Sequence, residues 1–295
     1  MIHMSERVAI VGGGKIGEAL LAGLINSGKP VRDLVVVERV EKRQSELTSD
    51  YGVRVTDDVV DAADGARVLF IAVKPDAVDS VLQALGKADD HSDEERITVT
   101  LVAGIPTARY EAALPAGSPV IRVMPNTPML VNEAMSAVSP GRYANDDQVA
   151  VAVRLLESVG KVMVVPEKQL DAVTAISGSG PAYFFLMVES MIDAGVALGL
   201  TRAQSAELAV QTVKGAGVLL SESGLTSVDL RAAVTSPGGT TAAALREFER
   251  HGLRHAVNEA TAACAEASAR MARRPDLEGS RPASPFTPDP AAGGQ

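Results

Sequence analysis

The chain has 295 residues, 46% of them hydrophobic and 22% charged, which is the composition of a folded protein and a length of about two domains. Its 28 lysines and arginines against 37 aspartates and glutamates give a formal net charge of −9; this balance, 3% aromatics and no tryptophan argue against nucleic acid as the main partner. The single cysteine, Cys264, excludes an internal disulfide, and with only four histidines it argues against a structural zinc site; both facts fit a reducing compartment.

At the start of the chain, Glu6 and Arg7 lead straight into a short apolar run, with no signal-peptide pattern. Val8–Val11 reads as a strand ending in glycines, and Ile16–Ile25 as a helix stopped by Gly28 and Pro30. Further short apolar runs follow at Leu34–Val37, Val68–Val73, Ile97–Val102, Val120–Met124 and Val162–Val165. Such runs alternating with helices indicate a parallel sheet covered on both faces, an α/β doubly wound fold. The acidic stretch Gly86–Arg96 reads as a solvated surface loop.

Beyond Pro166 the β-branched runs stop and alanine-rich helices take over. They are expected from Pro181, over Arg202–Leu220, over Ser227–Val234 with Ser227 as N-cap, and over Leu253–Arg273. Ala256, Ala260, Ala263 and Ala267 share one face of the last helix, suited either to burial within the chain or to close contact with a helix of another subunit. Met187 and Met191, four apart, read as core, and Cys264 as a small buried apolar residue. Tyr183 is open between reaching a ligand and packing beneath its loop. His251 and His255 read as surface or helix-end residues, since Gly252 interrupts them and no third metal ligand is evident. The longest uncharged run, Ala172–Val188, is just short of a membrane span and contains Gly178, Gly180 and Pro181. Neither a membrane partner nor a metal is expected, and the expected location is the cytoplasm. The domains are therefore 1–166, α/β; 167–274, helical; and 275–295, a proline-rich disordered tail.

Gly12-Gly13-Gly14-Lys15-Ile16-Gly17 matches G-x-G-x-x-G, directly after a strand and opening a helix. In that context Gly12 permits the tight turn, Gly14 lets a pyrophosphate approach, and Gly17 lets helix and strand pack closely. The helix start at Lys15 and Ile16 offers unpaired amides to the phosphates. Glu38 and Arg39 end the second strand; a carboxylate there binds the ribose hydroxyls of NAD, an arginine the 2′-phosphate of NADP. The sequence leaves open which of the two faces the ribose, so NADPH and NADH both remain candidate cofactors. The strand ends Val73-Lys74-Pro75, Ala103-Gly104 and Met124–Pro128, which includes Asn126, line the expected path toward the nicotinamide.

Two stretches of the helical half, Ser177–Tyr183 (with Ser179 and Gly180) and Thr235–Thr241, put glycine and hydroxyl residues directly before a helix. Each reads as a nest of free amides for a carboxylate or phosphate, with plain helix capping as the alternative.

The run from Val234 to Leu245, continuing to Glu249, resembles the signature of pyrroline-5-carboxylate reductases. The Ser177–Tyr183, Val73–Pro75 and Met124–Pro128 stretches resemble that family in the same order, and the resemblance covers residues 6–272. It implies an N-terminal Rossmann dinucleotide-binding domain followed by an all-helical domain that dimerises by interlocking helices, often assembling further into a decamer. It implies reduction of 1-pyrroline-5-carboxylate to L-proline by NADPH or NADH. By position it implies that Ser236 and the amides near Gly238, Gly239 and Thr240 hold the substrate carboxylate, that Thr241 hydrogen-bonds the ring nitrogen, and that Ser179, Gly180 and Glu222 lie near the substrate. The fingerprint glycines, Val73, Lys74, Pro75, Ala103 and Asn126 would contact cofactor.

Overall fold

Short apolar runs without intervening charge can satisfy their backbone only inside a sheet, and that is where they lie in the computed structural model, which describes residues 6–86 and 96–272. The strands are β1 (Val8–Val11), β2 (Leu34–Val37), β3 (Arg54–Thr56), β4 (Val68–Ile71), β5 (Ile97–Thr100), β6 (Val120–Met124), β7 (Ala134–Pro140) and β8 (Gly160–Val164). They form one sheet in the order β3-β2-β1-β4-β5-β6-β7-β8. Strands β1 to β6 are parallel. The order reverses on either side of β1, which opens a crevice beyond the carboxyl ends of β1, β2 and β4.

Two strands depart from the sequence expectation. Arg54–Thr56 is too short and too polar to read as an apolar run. Strand β7, of small alternating residues, pairs antiparallel with β6, so the sheet is not wholly parallel. The cause is the connection: Met124 to Ala134 is too short for a helical crossover, which a parallel neighbour requires. Asn132, at φ 60°, turns the chain back after a 3₁₀ turn over Thr127–Val131. Strand β8 then pairs parallel with β7.

The two faces of the sheet carry separate cores. Val8 and Ile10 face Leu20, Leu21 and Leu24 of the helix Lys15–Asn26. Ala9 and Val11 face Val59, Val78 and Val81 on the other side. A partly buried polar knot completes this packing: Glu167 accepts from the Thr107 amide (2.8 Å), the Thr107 hydroxyl (2.8 Å) and Arg122 Nη1 (3.1 Å).

By compactness of their contacts, the described residues up to Asp171 and from Glu266 form one unit, and Ala172–Ala265 another. The second unit is helical. Helices Gly180–Ala197 and Arg202–Glu222 pack on each other, with Gly195 against the buried Ser205. The helix Ser227–Ala233 is capped by Thr226, not Ser227: the Thr226 hydroxyl accepts from the Asp229 amide in a reciprocal capping box. Helices Thr240–Arg250 and Leu253–Ala272 follow.

The expected burial of helix faces is corrected here. Met187 and Met191 are exposed in the single chain. So are Ala256, Ala260, Ala263 and Ala267, so the last helix is not an ordinary buried one. Cys264 is half-buried rather than fully buried. The 86–96 loop, beyond its ends, and the 275–295 tail lie outside the described residues.

Candidate functional site

The glycine turn between β1 and the helix Lys15–Asn26 is built by contacts that leave no room for side chains. Gly12 holds φ 110°, and a Cβ there would meet the Ala72 carbonyl oxygen at 2.6 Å. A Cβ on Gly17 would overlap the Gly12 carbonyl, so only glycine lets the helix approach the strand this closely. At Gly14 the same construction meets nothing within 4 Å, which leaves an open approach to the backbone. The Gly12 amide is bound to Val37 O (2.9 Å) and the Ala72 amide to Val11 O (2.8 Å), so the ends of β1, β2 and β4 are aligned.

Beyond those ends lies a cavity of about 290 Å³. Gly12, Gly14, Glu38, Arg39, Val73 and Lys74 line it, as the sequence led one to expect. Val59, Ala77 and Val81 form an apolar wall that the sequence reading missed, because no glycine or charged motif marks them. Lys15, Ile16, Gly17, Pro75, Ala103, Gly104 and Asn126 lie outside its lining. Lys15 and Ile16 start the helix, and Pro75 starts a 3₁₀ turn over Pro75–Ala77. At Gly104 the space for a side chain is filled by Met271, so its visible role is close packing. The Asn126 side-chain oxygen Oδ1 accepts from the Met135 amide (2.9 Å), which ties the β6 end to β7.

Glu38 and Arg39 both reach the cavity from opposite directions. One carboxylate oxygen of Glu38 accepts from the amides of Arg39 (2.8 Å) and Val40 (2.9 Å). Its other oxygen lies over Gly13. Arg39 swings to the far wall, where Nη2 donates to Ser80 Oγ (3.3 Å). Arg43, unremarked in the sequence, donates from Nε to the Gly13 carbonyl (2.9 Å) and pairs with Glu46 (3.0 Å) and Glu18. Partial burial works against its charge, but the two carboxylates outweigh it and raise its pKa above the ordinary arginine value. Tyr51 donates to Glu18 (3.1 Å), and burial followed by that carboxylate pushes its phenol upward.

In the second unit the two expected loops behave differently. Ser236 to Gly239 forms a tight turn, the Gly239 amide bound to Ser236 O (3.0 Å), with Gly238 at φ 73°. Gly239 caps the helix Thr240–Arg250, whose first amides lack partners inside that helix. With the Gly239 amide spent on that bond, this loop still has the open turn and helix start that a nest needs, and Ser236, Thr240 and Thr241 sit together on it.

The Ser177–Tyr183 stretch does not. It is not an open loop: a π-helical turn over Thr174–Gly178 runs straight into the helix Gly180–Ala197. The Ser179 amide is bound to Thr174 O (2.8 Å), so it is not free for an anion. Pro181, which has no N–H, lies in the first turn of the helix that follows, where no such donor is needed. The Ser179 hydroxyl instead accepts from Cys264 Sγ (3.2 Å). Tyr183 donates to the Ala175 carbonyl (3.0 Å), which favours packing over ligand contact; burial and the neighbouring Cys264 raise its pKa. Glu222 is exposed at the end of its helix, and no hydrogen bond or ion pair links it to the Ser236 loop.

Among the described residues no group of three or more His, Cys, Asp or Glu could hold a metal ion, and no helix is long and apolar enough to cross a membrane. His251 ends one helix beside Glu247 (3.8 Å), and His255 belongs to the next.

Two family models match the chain: one for NADP oxidoreductases, coenzyme F420-dependent, over residues 7–104, and one for pyrroline-5-carboxylate reductase dimerisation over residues 167–271. A pyrroline-5-carboxylate reductase of Mycobacterium tuberculosis is 46% identical, covering 94% of this chain and 100% of its own. The solved reductase of Coxiella burnetii is 32% identical with a TM-score of 0.87, over 92% of this chain and 100% of that one. The Plasmodium falciparum enzyme, solved with NADP bound, is 28% identical with a TM-score of 0.78, over 91% and 99%.

Proposed function

The chain belongs to the pyrroline-5-carboxylate reductase family, and from that premise we propose how its residues reduce 1-pyrroline-5-carboxylate to L-proline, the last step of proline synthesis. The observation that carries this reading is that the likeness runs through both halves of the chain, the nucleotide crevice and the Ser236–Thr241 turn alike.

The residues present fit a nicotinamide dinucleotide, because the turn at Gly14 is open where a pyrophosphate must come close and the crevice has an apolar wall for an adenine. When bound, NAD(P)H supplies the hydride that reduces the imine carbon. The chain's own tasks are to hold, orient and polarise. Ser236 and the amides of Gly238 and Thr240 hold the substrate carboxylate at a helix start, where the backbone dipoles favour an anion, while Gly239 closes the turn with its own amide. The Thr241 hydroxyl donates to the ring nitrogen, which draws electron density from the C=N bond, and the proton that nitrogen gains on reduction comes from solvent. Ser179, with Gly180 behind it, meets the substrate through the hydroxyl that Cys264 orients. Glu222 is the weakest member of the set.

At the nucleotide, both cofactors are used. Glu38 has one carboxylate oxygen spent on its own loop, so only the other serves a ribose hydroxyl. Arg39 takes the 2′-phosphate of NADPH, a reading that the NADP-bound Plasmodium structure supports. Residues 1–166 act as the dinucleotide domain and 167–274 as the helical domain through which two copies join, with further assembly to a decamer. The cytoplasm suits a chain with one cysteine.

The test is nicotinamide oxidation with racemic 1-pyrroline-5-carboxylate, NADPH and NADH in parallel, with proline identified as product. Arg39→Ala should lower kcat/KM for NADPH about ten- to hundredfold and leave NADH nearly unchanged. No proline with either cofactor would reject the substrate; equal losses with both would reject the role of Arg39.

A further inference from the structure

We propose that Arg43 is a positioning residue that presets the pyrophosphate cradle by holding the Gly13 carbonyl. The idea rests on the reading of the glycine turn as a nucleotide site.

Three consecutive glycines, Gly12 to Gly14, form a turn with no side chain of its own to hold it, and glycine has the most conformational freedom to lose. Arg43, thirty residues on, fixes its middle member: Nε donates to the Gly13 carbonyl at 2.9 Å. The other arms of the guanidinium are committed. One Nη holds Glu46 (3.0 Å), the other Glu18, and Glu18 is itself held by the Tyr51 hydroxyl (3.1 Å). A planar fork with three fixed acceptors has one orientation. Glu18 also closes the circuit through its backbone, donating to the Gly14 carbonyl at 2.8 Å.

The peptide between Gly13 and Gly14 is planar and trans, as are all described peptides. Its carbonyl and its N–H therefore point in opposite directions. Binding the Gly13 carbonyl to Arg43 aims the Gly14 amide away from Arg43. Gly14 borders the cavity and faces open space. Arg43 thus fixes the direction of a donor it does not touch, and its own charge is shared between two carboxylates rather than offered to the ligand.

Without this hold the turn must be ordered by the ligand, which weakens binding of anything that uses the Gly14 amide. Arg43→Met and Arg43→Lys in the full-length protein test this, with ADP-ribose and adenosine as probes in competition with NADH fluorescence. Arg43→Met should weaken ADP-ribose about ten- to thirtyfold and leave adenosine unchanged. Arg43→Lys keeps the charge but loses the fork, and should not rescue. In steady state, KM for the nicotinamide should rise with kcat and KM for the imine unchanged. Equal weakening of both probes, full rescue by lysine, or no change overturns the proposal. If Arg43→Met does not fold, Glu46→Gln loosens the fork from the exposed side and should weaken ADP-ribose about threefold; no shift there overturns it as well. Wild-type protein that fails to bind ADP-ribose would instead overturn the nucleotide reading itself.

Discussion

In the first unit every residue of β1, β2, β4 and β5 is buried, and two apolar cores close over the sheet from either side. In the second unit only Gly180 is buried among the eighteen residues of the helix Gly180–Ala197, while Phe184, Phe185 and Leu186 are 64%, 67% and 64% exposed. The amino-acid types are alike in hydrophobicity; what differs is whether the chain supplies its own cover. An exposed apolar face this extended is a surface for a partner. The partner proposed here is a second copy, since the family model matched by residues 167–271 is one for dimerisation. One unit is finished by folding; the other, on this proposal, by association.

Breaking the association should have the largest effect. Leu208→Asp, on an exposed apolar position of the helix Arg202–Glu222, places a charge where the single chain would tolerate it easily. If the face is buried between copies, the variant should weaken dimerisation about a thousandfold, read by sedimentation. Unchanged association would place the contact elsewhere. Next is the chemistry that the second unit contributes: Thr241→Ala should lower kcat about 10²–10³-fold with nucleotide binding intact, and near-native turnover would remove Thr241 from its role.

The remaining predictions sharpen the contrast from the first unit. Glu167→Ala strands the buried Arg122 and two donors of Thr107, and should cost about 3 kcal/mol in urea unfolding. Its counterpart in the second unit, Glu249→Ala beside the exposed Arg254, should cost no more than about 0.5 kcal/mol. Tyr110 gives an effect between these two under ordinary conditions. Its hydroxyl accepts from Thr100 Oγ1 at 2.7 Å, and burial raises its pKa to about 12. A phenol raised in the folded state favours folding fully below its unfolded pKa of about 10, and that stability is lost as pH rises toward 12. Ultraviolet titration should therefore show one of the four tyrosines resisting ionisation until about 12. Tyr110→Phe should abolish that late phase and cost about 1 kcal/mol at neutral pH.

The nucleotide crevice was legible because its signals are local. Val8–Val11 followed by Gly12, Gly14 and Gly17 needs only neighbours in sequence to make a strand, a turn and a helix start. The Ser236–Thr241 turn was legible for the same reason. Strand β7 was not: its direction follows from the length of a connection, and its small alternating residues lack an apolar run. Arg43 was invisible because its partners, Gly13 and Glu18, lie about 25 to 30 residues away. The π-helical turn before Gly180 was misread as an open loop, since serines and glycines look the same whether their amides are free or spent. Met187 and Met191 were misplaced because apolar residues four apart have the same spacing whether their face is covered by the chain itself or left exposed by it.

The most direct test of this division is to assay size-exclusion fractions of the wild-type and Leu208→Asp proteins for both NADH binding and proline formation. Proline formation confined to the dimer or larger species, with NADH bound in every fraction, is the predicted result. Proline formed at full rate by a monomeric fraction would contradict it.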